Sequence, residues 1–224
     1  MNLKAVIFFF FFTLIDSMGI WHKVDKEFLL KRNVAVPDNI FADIEEGNSF
    51  YEVAKFFKHK FSLTETIDQI MNEWTDMVKE KYQKEITTKP GVKEILPYLK
   101  KNNIKIAVGT SNTHFLTKTV LDSNKIKKYF EIIVDGKNNE IRGKPFPDIY
   151  LKVAEKLDIK PEECVVIEDV YVGVLAGKKA GMKVIAIADE YSQHEVVQIK
   201  EKADYFVKDF FEVKAIVKQF IERK

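Results

Sequence analysis

The sequence predicts an α/β fold: a doubly wound, Rossmann-like parallel sheet core with an inserted all-helical cap domain. Three observations predict it. From about Gly91 onward, short β-branched runs alternate with helical patterns, as right-handed βαβ units with helices on both sheet faces require. The stretch Ala5 to Ile15 is apolar except for Thr13, the continuous pattern of a strand covered on both faces. Between the two, residues 17–86 show helical spacing and no strand pattern.

The opening run holds Phe8 to Phe12, five of the 18 Phe in the chain. An export or membrane element is the competing reading. The run is too short for a bilayer, which needs about 20 apolar residues. Asp16-Ser17-Met18-Gly19 also offers no small-x-small cleavage site, so a buried first strand is preferred. In the insert, Phe50, Val53, Ala54 and Phe57 recur at helical spacing, and Ile67, Ile70, Met71, Trp74, Met77 and Val78 continue it. This stripe reads as helix packing rather than a cofactor box. Lys89-Pro90-Gly91 marks the return, which gives a core of residues 1–16 and 87–224 and a helical cap of residues 17–86. The later strands are Ile104 to Val108, Glu131 to Val134, Cys164 to Ile167, Lys183 to Ile187 and Tyr205 to Val207. Helices such as Pro147 to Leu157 and Val172 to Ala180 lie between them.

Composition narrows the function classes. The 36 Lys+Arg against 34 Asp+Glu leave a net charge of +2 with both signs interspersed, which argues against a nucleic-acid binder or a polybasic membrane ligand. The single Cys, Cys164, excludes a disulfide framework and a Cys-cluster zinc site and suits a reducing cytoplasm. His22, His59, His114 and His194 lack metal-site spacing. A cytoplasmic monomer without nucleic-acid or membrane partners is expected.

Ligands of open α/β sheets bind outside the carboxyl ends of the strands, so the residues after each strand are the candidates. Thr110, Ser111 and Asn112 open a helix, where hydroxyls and free N–H groups can grip an anion; ordinary helix capping uses the same residue types. Lys144 stands in a Pro-braced loop before a helix, able to neutralise a phosphoryl group or a carboxylate; a solvated loop lysine is the bland alternative. Glu168 and Asp169 end a strand as adjacent carboxylates, hard ligands suited to Mg2+, or simply charges at a helix N-terminus. Within the insert, Gly47, Asn48 and Ser49 lie in a polar break that is a candidate substrate contact; there, Gly47 as a C-cap and Ser49 as an N-cap is the competing reading.

The order of these features resembles the haloacid dehalogenase superfamily, most closely its phosphatase and β-phosphoglucomutase-like branch. The likeness covers nearly the whole chain. It is carried by Thr13-Leu14-Ile15-Asp16-Ser17, Lys89-Pro90-Gly91-Val92, Gly143-Lys144-Pro145 with Pro147-Asp148, and Glu168-Asp169-Val170 with Gly173-Val174, Ala176-Gly177 and Ala180-Gly181-Met182. The resemblance implies Mg2+-dependent phosphoryl transfer through an aspartyl-phosphate on a small phosphorylated metabolite. Phosphosugars, phosphoglycolate-like acids and nucleotides stay open as substrates, as do water or a sugar hydroxyl as acceptor. It implies that Thr110, with the backbone at Ser111 and Asn112, holds the phosphoryl oxygens. Lys144 would neutralise nucleophile and phosphate, Asp169 with Glu168 would bind Mg2+, and the cap would close over the site.

At one place the chain departs from the family pattern. The resemblance calls for Asp-x-Asp-Gly ahead of Thr13, which puts Phe9 at the nucleophile, Phe11 at the acid/base and Phe12 at the glycine. A phenyl ring has no lone pair with which to attack phosphorus, ligate a cation or move a proton. Three readings stand: a change, introduced or erroneous, laid over an otherwise intact catalytic site; an inactive relative that binds a phosphorylated ligand or a partner; or an export element on a vestigial enzyme. In every case the chain as written is expected to hydrolyse no phosphomonoester and to be less stable than an Asp-Phe-Asp-Gly counterpart.

Overall fold

The computed structural model describes residues 1–10, 13–15, 18–37, 49–84, 86–136 and 141–222. Six strands form one parallel sheet: β1 (Ala5–Phe9), β2 (Lys105–Thr110), β3 (Ile132–Asp135), β4 (Cys164–Glu168), β5 (Lys183–Ile187) and β6 (Tyr205–Val207), in the spatial order β3-β2-β1-β4-β5-β6. β1 lies between β2 and β4, with Ile7 opposite both Ala107 and Val166 and Phe9 opposite Gly109. All five of its residues are buried, which accounts for an apolar sequence without alternation.

The two faces of β1 feed two cores. Val6 and Phe8 join a cluster with α4 (Val92–Lys101), α5 (His114–Ser123) and α9 (Phe210–Glu222). Ala5 and Ile7 join a second cluster with α6 (Asp148–Leu157), α7 (Tyr171–Lys179) and α8 (Val196–Lys202). Helices thus cover both faces, as the doubly wound pattern demands.

The first apolar run is not one strand to Ile15. β1 stops at Phe9; Phe10 N–H donates to Gly109 at 3.1 Å, and Leu14 N–H donates to the Phe10 carbonyl at 3.1 Å to close a turn. Ile15 then pairs with Thr88 in an isolated antiparallel bridge, and Lys89 N–H donates to the Leu14 carbonyl at 2.9 Å. The chain must leave the sheet here to reach the insert, and it stays apolar because Phe10, Leu14 and Ile15 remain buried in the first cluster. Phe11, Phe12 and Asp16 lie outside the described residues.

The insert is helical: α1 (Met18–Leu30), α2 (Phe50–Lys60) and α3 (Ile67–Lys84). Its aromatic stripe packs helix on helix. Phe57 meets Trp74 edge-on at 4.9 Å between ring centroids, and Trp21, Phe28 and Phe50 surround the same indole. The Arg32 guanidinium joins Glu65 at 2.8 Å and Glu73 at 2.5 Å and covers the Phe28 ring at 3.7 Å, fixing the end of α1 against α3. The insert rests on the core through α3 and α5, where the Asn124 side chain donates to the Ile86 carbonyl at 3.1 Å. Among the described residues no helix is long and apolar enough to cross a membrane.

Candidate active site

The carboxyl ends of β1, β2 and β4 bring most of the sequence-predicted residues to one mouth. Phe9, Ser49, Ser111, Arg142 and Lys144 line one concavity there. Thr110 ends β2 fully buried, and its hydroxyl oxygen accepts the Asn112 N–H at 3.1 Å. Asn112 Oδ1 accepts the Thr113 N–H at 2.7 Å, and Thr113 caps α5 by accepting from Leu116 N–H at 3.3 Å. This chain of small polar side chains holds the loop tight beneath the mouth.

Glu168 is fully buried at the end of β4. Its carboxylate accepts the Tyr150 hydroxyl and, at 3.0 Å, the Asp169 N–H, and it is ion-paired with Lys144. A Cβ on Gly173 would enter that carboxylate, so the first glycine of the helix after β4 exists to let Glu168 in. Burial, then the Glu168 charge, hold the Tyr150 hydroxyl well above its ordinary range. Asp169 accepts the Thr13 hydroxyl. Burial foremost, and then the neighbouring Glu168, push its carboxyl up to about 7, against the opposing charges of Lys89 and Lys144.

Lys144 carries only 3% of its side-chain surface exposed. Besides Glu168, it faces the ring of Phe9, with Nζ 3.0 Å from the centroid. An ammonium over a desolvated aromatic face is attracted by the ring quadrupole, worth about 2 kcal/mol or more in dry sites. Phe9 thus stands against the lysine where the resemblance places a nucleophilic carboxylate. By the period-two alternation of a strand, Phe8 and Phe10 turn the other way: Phe8 packs on Phe130 and Phe210 at 6.2 and 5.9 Å, and Phe10 lies in the same core. Only Phe9, of these three, fills the mouth.

Ser49 has two places at once. It caps α2, accepting from Glu52 N–H at 3.3 Å while its own N–H donates to the Glu52 carboxylate at 2.7 Å, and it also lines the mouth. The next residue ties the insert to the core loop, Phe50 N–H donating to the Ser111 carbonyl at 3.1 Å. Gly47, Asn48 and Phe11 lie outside the described residues.

Thr13 and Lys89 stand in segments that carry the family resemblance, but no local signal names their partners. Thr13 reaches Asp169 across 156 positions. Lys89, at the return from the insert, pairs with Asp189 after β5 at 2.5 Å. Arg142 is held by Asp148 through two contacts of 2.9 and 2.8 Å and lies 4.3 Å over the Phe146 ring, and it draws the Asp148 carboxyl below its usual range.

Mg2+ prefers near-octahedral oxygen ligation, with carboxylates as its usual protein ligands. Glu168 and Asp169 offer two carboxylates, but Phe9 presents carbon on the facing side, and among the described residues no three His, Cys, Asp or Glu side chains converge. The residues present do not complete such a centre.

A parallel sheet of this order, with a helical insert leaving after the central strand and polar groups gathered at the strand ends, defines a Rossmann-like α/β architecture with an inserted cap. The chain belongs to the haloacid dehalogenase-like hydrolases, whose family pattern matches residues 6–187. Hexitol phosphatase A of Escherichia coli is 30% identical over 191 residues, 84% of each chain. β-Phosphoglucomutase of Bacillus subtilis is 38% identical over 98 residues, 44% of this chain and 42% of that one. In this and two other curated matches the aligned segment spans under half of the relative, 42–46%. The crystal structure of CbbY from Rhodobacter sphaeroides in complex with phosphate superimposes with a TM-score of 0.82 over 93% of this chain and 95% of that one, at 22% identity. The last likeness shows the shared fold. The sequence relatives place the chain in the phosphatase and phosphomutase branch.

Proposed function

We propose that the mouth is built for phosphoryl transfer from a small phosphorylated metabolite by way of an aspartyl-phosphate, and that Phe9 disables this chemistry in the chain as it stands. The observation that carries the reading is the Phe9 ring set 3.0 Å from Lys144 Nζ, with the hydroxyl loop after β2 and the acidic pair after β4 gathered around the same opening. Thr110 and the Ser111 N–H orient a phosphoryl group, with the Asn112 N–H holding the Thr110 hydroxyl in place, and Lys144 neutralises it; positioning and charge account for most of the rate in such transfers. The insert, reaching the mouth through Ser49, supplies substrate contacts and excludes water. The protein works as a cytoplasmic monomer, without nucleic acid or membrane. Water as acceptor would make it a phosphatase, and a sugar hydroxyl a mutase.

The second reading is a catalytically dead member that binds a phosphorylated ligand or a partner. The retention of Thr110, Lys144, Glu168 and Asp169 around a phenyl ring favours it for the chain as written, since ligand grip survives without the nucleophile. A panel of phosphosugars, phosphoglycolate and nucleotides, assayed with Mg2+, separates the two. The written chain should release no phosphate, and the combined variant Phe9→Asp, Phe11→Asp, Phe12→Gly should hydrolyse at least one class. Loss of a nucleophile costs on the order of 10⁶-fold in kcat, so the contrast is large. A folded variant inactive across the panel would sink the catalytic reading.

A further inference from the structure

We infer that this chain balances its buried Glu168 with its own Lys144, held between that carboxylate and the Phe9 ring, and so holds the mouth together without a divalent cation. The inference rests on the assignment of these residues to the mouth described above. Glu168 and Asp169 are 0% and 2% exposed, and adjacent carboxylates buried in this way are costly unless counter-charge and hydrogen bonds meet them.

Both are supplied from within the chain. Lys144 is ion-paired with Glu168, whose oxygens also accept the Tyr150 hydroxyl and the Asp169 N–H. Asp169 accepts the Thr13 hydroxyl. Lys89 is fixed by Asp189 at 2.5 Å, with 15% and 10% of the two side chains exposed. Its backbone is pinned to Leu14 by a 2.9 Å hydrogen bond beside the Ile15 bridge to Thr88. A second buried ion pair is therefore anchored where the chain leaves and re-enters the core.

Residue 9 tips the choice of cation. Mg2+ demands oxygen ligands at about 2.0–2.1 Å in near-octahedral array, and a phenyl ring has none. The same ring attracts an ammonium through its quadrupole, and Lys144 Nζ lies 3.0 Å from its centroid. Replacing a carboxylate by Phe thus removes a metal ligand and favours a lysine in one step.

Calorimetric titration of Mg2+ and thermal midpoints with and without millimolar Mg2+ test this, with the written chain set against the combined variant Phe9→Asp, Phe11→Asp, Phe12→Gly. The written chain should give no binding heat and no shift. Its affinity should be at least about 100-fold below that of the variant, since loss of even an outer partner of a metal ligand costs 10–100-fold. Lys144→Met in the written chain should lower the midpoint to the same extent with and without Mg2+; if it fails to fold, Lys144→Gln carries the comparison. A Mg2+ shift in the written chain equal to that of the variant would overturn the inference, as would lysine variants with unchanged midpoints. Missing phosphate release from the combined variant would instead sink the functional reading and leave the metal comparison standing.

Discussion

Gly173 and Asp25 show how single residues carry the physical constraints of this chain. A Cβ at position 173 would lie inside the Glu168 carboxylate, and Glu168 cannot retreat because Tyr150 and Lys144 hold it from the other side. Gly173→Ala should therefore cost about 1–3 kcal/mol, the usual range for overpacking, read as a lower urea midpoint; an unchanged midpoint would show that the close approach is relaxed in solution. Asp25, on α1 and 2% exposed, is a different case. Burial pushes its carboxyl from 3.8 to about 8. A raised acid binds a proton in the folded state that the unfolded chain has already released, so stability falls as pH rises between about 4 and about 8 and levels off above. Asp25→Asn should flatten that slope in denaturation curves taken across the window. An identical slope in both proteins would exclude Asp25 as its source.

At the scale of elements, the helical insert was legible and the end of the first strand was not. The insert announced itself because Phe57, Trp74 and their neighbours recur at helical spacing, and the structure packs them into one aromatic core. Trp74→Ala should cost about 3–5 kcal/mol, visible as a large loss in the calorimetric midpoint. A loss under about 1 kcal/mol would mean that the insert contributes little to the cooperative unit. The first strand gave no such signal. Phe8, Phe9 and Phe10 are all buried although one ends the strand and the next begins a turn, so hydropathy is blind to the boundary. Gly177 was legible as a motif position but not as a mechanism: a Cβ there would meet Val184 at 2.7 Å, so the glycine sets the depth at which α7 lies on the sheet.

For the whole molecule, the order of strands and strand-end motifs could be read from sequence because a doubly wound sheet collects the carboxyl ends of its strands into one opening. Thr110, Lys144, Glu168 and Asp169 meet there although they are spread over three segments. The partners that orient them were hidden, since Thr13 with Asp169 and Lys89 with Asp189 join positions 156 and 100 apart. Thr13 and Lys89 stand in segments that carry the resemblance, but nothing beside them names a partner so distant in sequence. Phe9 was visible from the start, but its place against Lys144 needed the fold. On the proposed function, position 9 faces the phosphoryl group and its side chain decides whether chemistry occurs. The variant Phe9→Asp, Phe12→Gly, with Phe11 retained, tests this most directly, because it supplies a nucleophile while withholding the group that would activate water. Mixed with p-nitrophenyl phosphate and Mg2+, whose leaving group needs no proton, it should release a burst of about one nitrophenolate per chain and then stall. Peptide mapping by mass spectrometry should find the phosphoryl group on residue 9. A folded variant that shows no burst, or that carries the label at another residue, would exclude residue 9 as the nucleophile position.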